Sequence, residues 1–158
     1  MSVWQLLAED LRGWKRVGFL GGARANTQLK LAEALTLVWR YPGVRATMYY
    51  RFSHAAHLRH VPLVPMLLFR RNLRYFGIDI IPSVPVGPVL YLPHPVGVVV
   101  MATSIGRNCH IISQVTVGMR NEHAFPTIGD NVTIGAGARV LGGITIGEGA
   151  QIGATAVV

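Results

Sequence analysis

Residues 128–158 read IGDNVT IGAGAR VLGGIT IGEGAQ IGATAV V. An aliphatic residue returns at every sixth position: Ile128, Ile134, Val140, Ile146, Ile152 and Val158. Followed back towards the start, the register takes in Val117, Ile111 and Ile105, then Val98, Leu92, Val86 and Ile80. A small residue follows most of these, among them Gly87, Gly106, Gly118, Gly129, Gly135, Gly147 and Gly153. Four places after the aliphatic comes a second compact group, such as Val84, Ala102, Cys109, Val115, Val132 and Ala138. A six-residue unit cannot bury its own face, so it must stack on copies of itself. The period is too long for an amphipathic helix, which needs apolar residues at 3.6-residue spacing. Recurrent glycine also breaks the alternation of a hairpin sheet. Strand, turn, strand, turn, with one inward aliphatic per side, predicts a prism-like parallel β-helix over 79–158. An α-helical region over 1–78 precedes it.

Two interruptions break the register. One extra residue is expected near Ser104, and five are inserted between Gly118 and Ile128. The resulting loop, 119–127, carries Arg120, Asn121, Glu122, His123 and Phe125. Loops held on a rigid stack are where binding groups concentrate.

The first half is different chemistry. Residues 1–78 hold twelve Lys/Arg against three Asp/Glu, and 79–158 hold three against four. That asymmetry favours acidic partners, including a peripheral membrane surface reached through basic helices. There is no nucleic-acid motif, and nucleic acid is not an expected partner. The lone cysteine, Cys109, takes an inward repeat position and reads as a core filler in a reducing compartment. With no apolar core behind a basic start, the sequence reads as lacking a signal peptide. The expected location is cytoplasmic, with the inner face of the membrane as a variant of it. Helices are expected over 3–16 (Trp4, Leu7, Leu11 and Trp14 on one face), from a Thr27 cap through Trp39, over 44–58, and over 66–75. Gly77 then hands over to the repeat. His54, His57 and His60 read as a solvated or packed helix face rather than metal ligands, because Arg51 and Arg59 lie beside them.

Asp79 stands at the helix-to-repeat junction and His94 follows fifteen residues later. In a coil of about eighteen residues, that separation returns the chain to nearby ground. A carboxylate that accepts from one imidazole nitrogen fixes the tautomer and raises the basicity of the other. The other nitrogen can then take a hydroxyl proton near neutral pH.

In this setting the sequence resembles the serine O-acetyltransferases. The resemblance rests on Phe76-Gly77-Ile78-Asp79-Ile80-Ile81-Pro82, Leu92-Pro93-His94-Pro95-Val96-Gly97, Gln114-Val115-Thr116-Val117-Gly118 and the run from Ile134 to Gly142. It implies a left-handed β-helix, a homotrimer with a dimer of trimers as the larger possibility, and acetyl-CoA in the cleft between subunits with no metal. It assigns His94 as the catalytic base and Asp79 as its partner. Ala136 and Ala154, with Gly118 and Met119, would line the CoA groove. The 119–127 loop would reach over the site, where Arg120, His123 and Pro93 would meet the acceptor. In the family the repeat runs on past the position of Val158 into a Val-Pro and Gly-x-Pro-Ala segment that helps hold CoA.

Departures from the family bear on the acceptor. Pro93 replaces an Asp before the His, and Tyr41-Pro42-Gly43 stands where Asp-Pro-Ala is usual. Phe125-Pro126 replaces His-Pro, with His123 two positions earlier. Without those carboxylates an amino-acid ammonium would lack its charge partners. The expected acceptor is therefore a sugar hydroxyl of a polysaccharide precursor, as in the exopolysaccharide branch, with true serine O-acetylation in cysteine biosynthesis as the alternative. Two rival classes are weaker. A γ-carbonic-anhydrase-like metal site would need His94, His110 and His123 to converge, and their spacing does not match. A trimeric scaffold with a degenerate site would bind no acetyl-CoA.

Overall fold

The computed structural model describes residues 1–19, 28–121 and 123–158. Three parallel sheets form the sides of a prism. The first joins β1 (Ile78–Ile80), β3 (Val98–Val100), β6 (Thr116–Gly118) and β9 (Arg139–Leu141). The second joins β4 (Ser104–Ile105), β7 (Thr127–Ile128) and β10 (Thr145–Ile146). The third joins β2 (Leu90–Tyr91), β5 (Cys109–Ile111), β8 (Thr133–Ile134) and β11 (Gln151–Ile152). All the strand pairings among the described residues are parallel, as a stacked coil requires. Ile80, Leu92, Ile111, Val117, Ile128, Ile134 and Val140 fill one continuous core. Cys109 is buried there as a filler. Its thiol donates to the Gly129 carbonyl at 3.2 Å, and burial raises its pKa.

The register differs from expectation in one coil. Val100, not Val98, stacks between Ile80 and Val117. Leu90 pairs with Cys109 nineteen residues on, whereas Val99 pairs with Thr116 seventeen residues on. The corner that holds His94 is therefore two residues longer than the corner stacked on it, and there is no single extra residue near Ser104. The reason is local. Pro93 and Pro95 have no N–H for a ladder, so the chain loops outward between them. The Val98-Val99-Val100 run accepts either register, and both Val98 and Val100 are buried.

Four α-helices precede the coils: α1 (Val3–Trp14), α2 (Leu31–Arg40), α3 (Pro42–Leu58) and α4 (Val64–Phe76). A π turn over Lys15–Phe19 follows α1. Ser2 begins α1 with a reciprocal bond to Gln5. The expected Thr27 cap lies outside the described residues. Gly77 ends α4 in the left-handed region at φ 63°, the conformation that costs glycine least.

The helices complete the first coil. With no coil beneath it, that coil has backbone groups that would otherwise be unpaired. Side chains supply the partners. The Tyr50 hydroxyl donates to the Val84 carbonyl at 2.5 Å, and Arg51 donates to the Val86 and Gly87 carbonyls at 2.6 Å each. His54 Nδ1 lies 2.7 Å from the Pro82 carbonyl and must carry its proton there. The Leu90 N–H donates to Asp10 Oδ1 at 3.0 Å. Arg51 also forms a two-pronged pair with Asp10, at 2.8 and 3.0 Å, with side chains 0% and 5% exposed. At Gly43 an added Cβ would sit 1.7 Å from the Leu92 carbonyl, so only glycine lets α3 approach so closely.

Candidate functional site

His94 sits on the enlarged corner between β2 and β3 and is exposed. Beneath it, the Gly97 N–H donates to the Gly77 carbonyl at 2.8 Å. That bond ties the His94 corner to the turn that leads into Asp79. Asp79 is the outward residue of β1, between inward Ile78 and Ile80, and pairs in register with Val99. Its Oδ1 is buried with no hydrogen-bond partner among the described residues, and desolvation raises its pKa. Asp79 and His94 are not hydrogen-bonded to each other. Catalytic hydrogen bonds often close only once substrate is bound. A carboxylate with a buried, unpaired oxygen and a raised pKa is the kind of group that concentrates at functional sites.

The same prism edge continues through small side chains. Ser113, Ala136 and Ala154 occupy equivalent corners of successive coils. The Gly137 N–H donates to the Ser113 carbonyl at 2.9 Å, and the Thr155 N–H to the Ala136 carbonyl at 2.8 Å. Gly135 belongs to this edge too, since an added Cβ would meet the Ala154 N–H at 2.5 Å. Ser113, Ala136 and Ala154 thus form a column of small side chains headed by the His94 corner, with Ile112 in the register position of Gly135.

Gly118, Met119, Arg120 and His123 are on a different edge, after β6. Gly118 is buried, yet an added Cβ there would meet nothing within 4 Å. Met119, Arg120 and His123 are exposed. The loop is tethered at its end, where Thr103 donates from its N–H to the Pro126 carbonyl at 2.9 Å and from its hydroxyl to the Phe125 carbonyl at 3.1 Å. Arg120, Asn121 and Ala124 border a cleft of about 300 Å³ against residues 141–144. Within one chain, then, the outer face of the first sheet separates the loop group from the His94 group.

His110 packs on Tyr91 with ring centroids 5.1 Å apart and planes tilted by 58°, and Tyr91 packs on Trp14 at 4.5 Å and 57°. Desolvation lowers the His110 pKa. Among the described residues no three His, Cys, Asp or Glu side chains gather as a metal set, so His94, His110 and His123 do not converge. Tyr41, at the position of the family's acceptor Asp, packs on Trp14 at 5.5 Å beside a buried cluster that includes Leu37 and Val44. Sequence reasoning missed the enlarged corner and the Asp10–Arg51 pair. The two prolines around His94 were the available signal for the first. Nothing local distinguished Arg51 from its exposed neighbours.

Residues 125–158 match the bacterial transferase hexapeptide (six repeats) family, in keeping with the left-handed β-helix expected above. The chain is 38% identical over 130 residues to a serine acetyltransferase of Synechococcus elongatus, covering 80% of this chain and 53% of that one. It is 38% identical over 122 residues to a serine acetyltransferase of Helicobacter pylori, covering 75% and 71%. Among solved structures, a serine acetyltransferase in complex with CoA superposes with a TM-score of 0.82 at 26% identity, covering 98% of this chain and 61% of that one. The Neisseria gonorrhoeae serine acetyltransferase in complex with serine gives 0.81 at 31%, with the same coverages. The chain thus spans about half the length of the Synechococcus relative. These relatives carry the serine name, and the expected exopolysaccharide branch draws no support from them.

Proposed function

Because the chain belongs to the serine acetyltransferase family, we propose that it transfers an acetyl group from acetyl-CoA to the hydroxyl of serine, with His94 as general base and Asp79 as its partner. When bound, acetyl-CoA supplies an activated acyl carbon as a thioester. His94 takes the hydroxyl proton as the oxygen attacks that carbon, then gives it to the sulfur as the carbon–sulfur bond breaks. Asp79 accepts from the other imidazole nitrogen and stabilises the imidazolium. Backbone N–H groups near Gly118 are the simplest donors for the charge that develops on the carbonyl oxygen. Ala136 and Ala154 keep the edge open for the donor's arm. The observation that carries this reading is the two-residue enlargement of the His94 corner at the head of that small-residue column. The loop group and the His94 group occupy different edges, so we place the complete site between subunits of a trimer in the cytoplasm, with Met119 and Arg120 of one subunit facing the next subunit's His94.

A second reading keeps the chemistry and changes the acceptor to a sugar hydroxyl. It is favoured by Tyr41, which packs on Trp14 at the position where the resemblance calls for a carboxylate, and by Pro93 beside the base. An acceptor screen with acetyl-CoA, reading free thiol release, separates the two. Release with serine above the hydrolysis background supports the first reading. Release with hexoses or nucleotide sugars and none with serine supports the second. Release with no acceptor of either class rules out both.

Asp79 also makes a prediction of opposite sign for stability and activity. A raised carboxyl pKa means that the folded chain binds this proton more readily than the unfolded chain. The stability so gained is present below the unfolded carboxyl pKa and is lost as pH rises through the higher folded value. At pH 7 ionised Asp79 is therefore a net cost. Asp79→Asn is expected to leave Tm at pH 7 unchanged or higher while lowering kcat about 100-fold. Thermal melts and steady-state rates on one preparation check this. A clear drop in Tm would mean that the carboxylate holds structure instead.

A further inference from the structure

One face of α3 is only partly covered by the described residues. Positions 45, 48, 49, 52, 55, 56 and 59 recur at helical spacing and form the floor of an open groove of about 780 Å³. Met48, Phe52 and Ala56 line it from α3, Trp4 from α1, and Val64 and Leu68 from α4. Trp4 packs edge-on against Phe52 with centroids 5.5 Å apart, yet remains 69% exposed. Arg45 and Arg59 also line the groove. Fourteen residues separate them, or about 21 Å along the helix, so they mark its two ends.

The charge of the helical region that carries this groove is unbalanced. The first 78 residues contain three carboxylates, Glu9, Asp10 and Glu33. Arg12, Arg51 and Lys15 occupy all three. Arg40, Arg45, Arg59, Arg70, Arg71 and Arg74 are left with no carboxylate partner among the described residues. Beside Arg70, Arg71 and Arg74, α4 also exposes Met66, Leu67 and Leu73.

We propose that this groove and its arginines form a docking site for an anionic phospholipid membrane. Trp4 and the apolar floor would enter the boundary between headgroups and acyl chains, and the exposed Arg59 would take lipid phosphate, while Arg45 is held by the Val38 and Trp39 carbonyls. An apolar strip flanked by Arg and carrying a Trp is the chemistry of an interfacial surface. A purely apolar protein partner would leave Arg59 at the groove's end without a counter-charge, and a phosphate-bearing surface supplies one there and for the exposed arginines of α4. Among the described residues no helix is long and apolar enough to cross a membrane, so the contact is with the surface.

The test is sedimentation of the full chain with vesicles of phosphatidylglycerol and phosphatidylcholine, against phosphatidylcholine alone. Binding is expected to the anionic vesicles only, and to weaken in high salt. Arg59→Gln is expected to weaken it about fivefold, on the scale of one basic residue at an anionic surface. Trp4→Ser, which removes an exposed side chain, is expected to weaken it about tenfold. Melting temperature and acetyl-transfer rate should be unchanged in both. Equal binding to both vesicle types overturns the proposal, as does wild-type binding by both variants. Absence of vesicle binding together with a Trp4-dependent increase in assembly size by light scattering also overturns it, and assigns the groove to contact between copies.

Discussion

His94→Ala is expected to lower kcat for acetyl transfer by about 10³-fold while leaving the melting temperature within a degree or two of the parent. The factor is the usual range for loss of a positioned general base. The fold should survive because His94 is exposed, outside the core, and on a corner that already departs from the repeat. The neighbouring bond from Gly97 to Gly77 is made by backbone and does not need the imidazole. A base acts on the hydroxyl in the reaction, not on the thioester in the ground state. Affinity for acetyl-CoA measured by calorimetry should therefore change little. Undiminished turnover in His94→Ala would remove the mechanism. Loss of acetyl-CoA binding along with turnover would show that the corner shapes the donor site rather than supplying the base.

Arg51→Met is expected to destabilise the chain by about 3–5 kcal/mol, the usual cost of breaking a buried pair from one side. The substitution leaves Asp10 almost wholly buried with its charge unanswered, and strips donors from the Val86 and Gly87 carbonyls. Asp10 keeps one partner, the Leu90 N–H, which is not enough to satisfy two carboxylate oxygens. Denaturant midpoints on parent and variant measure the loss. Adding Asp10→Leu to Arg51→Met should recover part of it, because an apolar pair in the same space carries no stranded charge. If the double variant is no better than the single one, the carbonyl contacts and not the ion pair dominate.

The six-residue period was sufficient for the coil because each repeat makes the same demand on its neighbours, and Ile111, Val117, Ile128 and Ile134 stack as that demand requires. It failed at Val98, where three consecutive valines satisfy the inward position equally well and only pairing with the next coil decides between them. Asp79 and His94 could be picked out by residue type and flanking context. The bond that ties the His94 corner to the Gly77 turn before Asp79 could not, since it depends on the lengthened corner. Gly118 and Met119 belong to an edge apart from Ala136 and Ala154, and linear spacing cannot distinguish the edges of a prism once a loop is inserted. Arg51 was invisible for a different reason. Of the two arginines in α3, Arg45 and Arg51, the one that turns fully inward is selected by Asp10, forty-one residues earlier.

The side chains of Tyr50, Arg51, His54 and Asp10 occupy the hydrogen-bonding groups of the first coil. A solenoid whose rim is left bare is a template on which a foreign strand can add. Here that rim is already stoppered, so fibrillar growth from the helix-bearing side has no place to start.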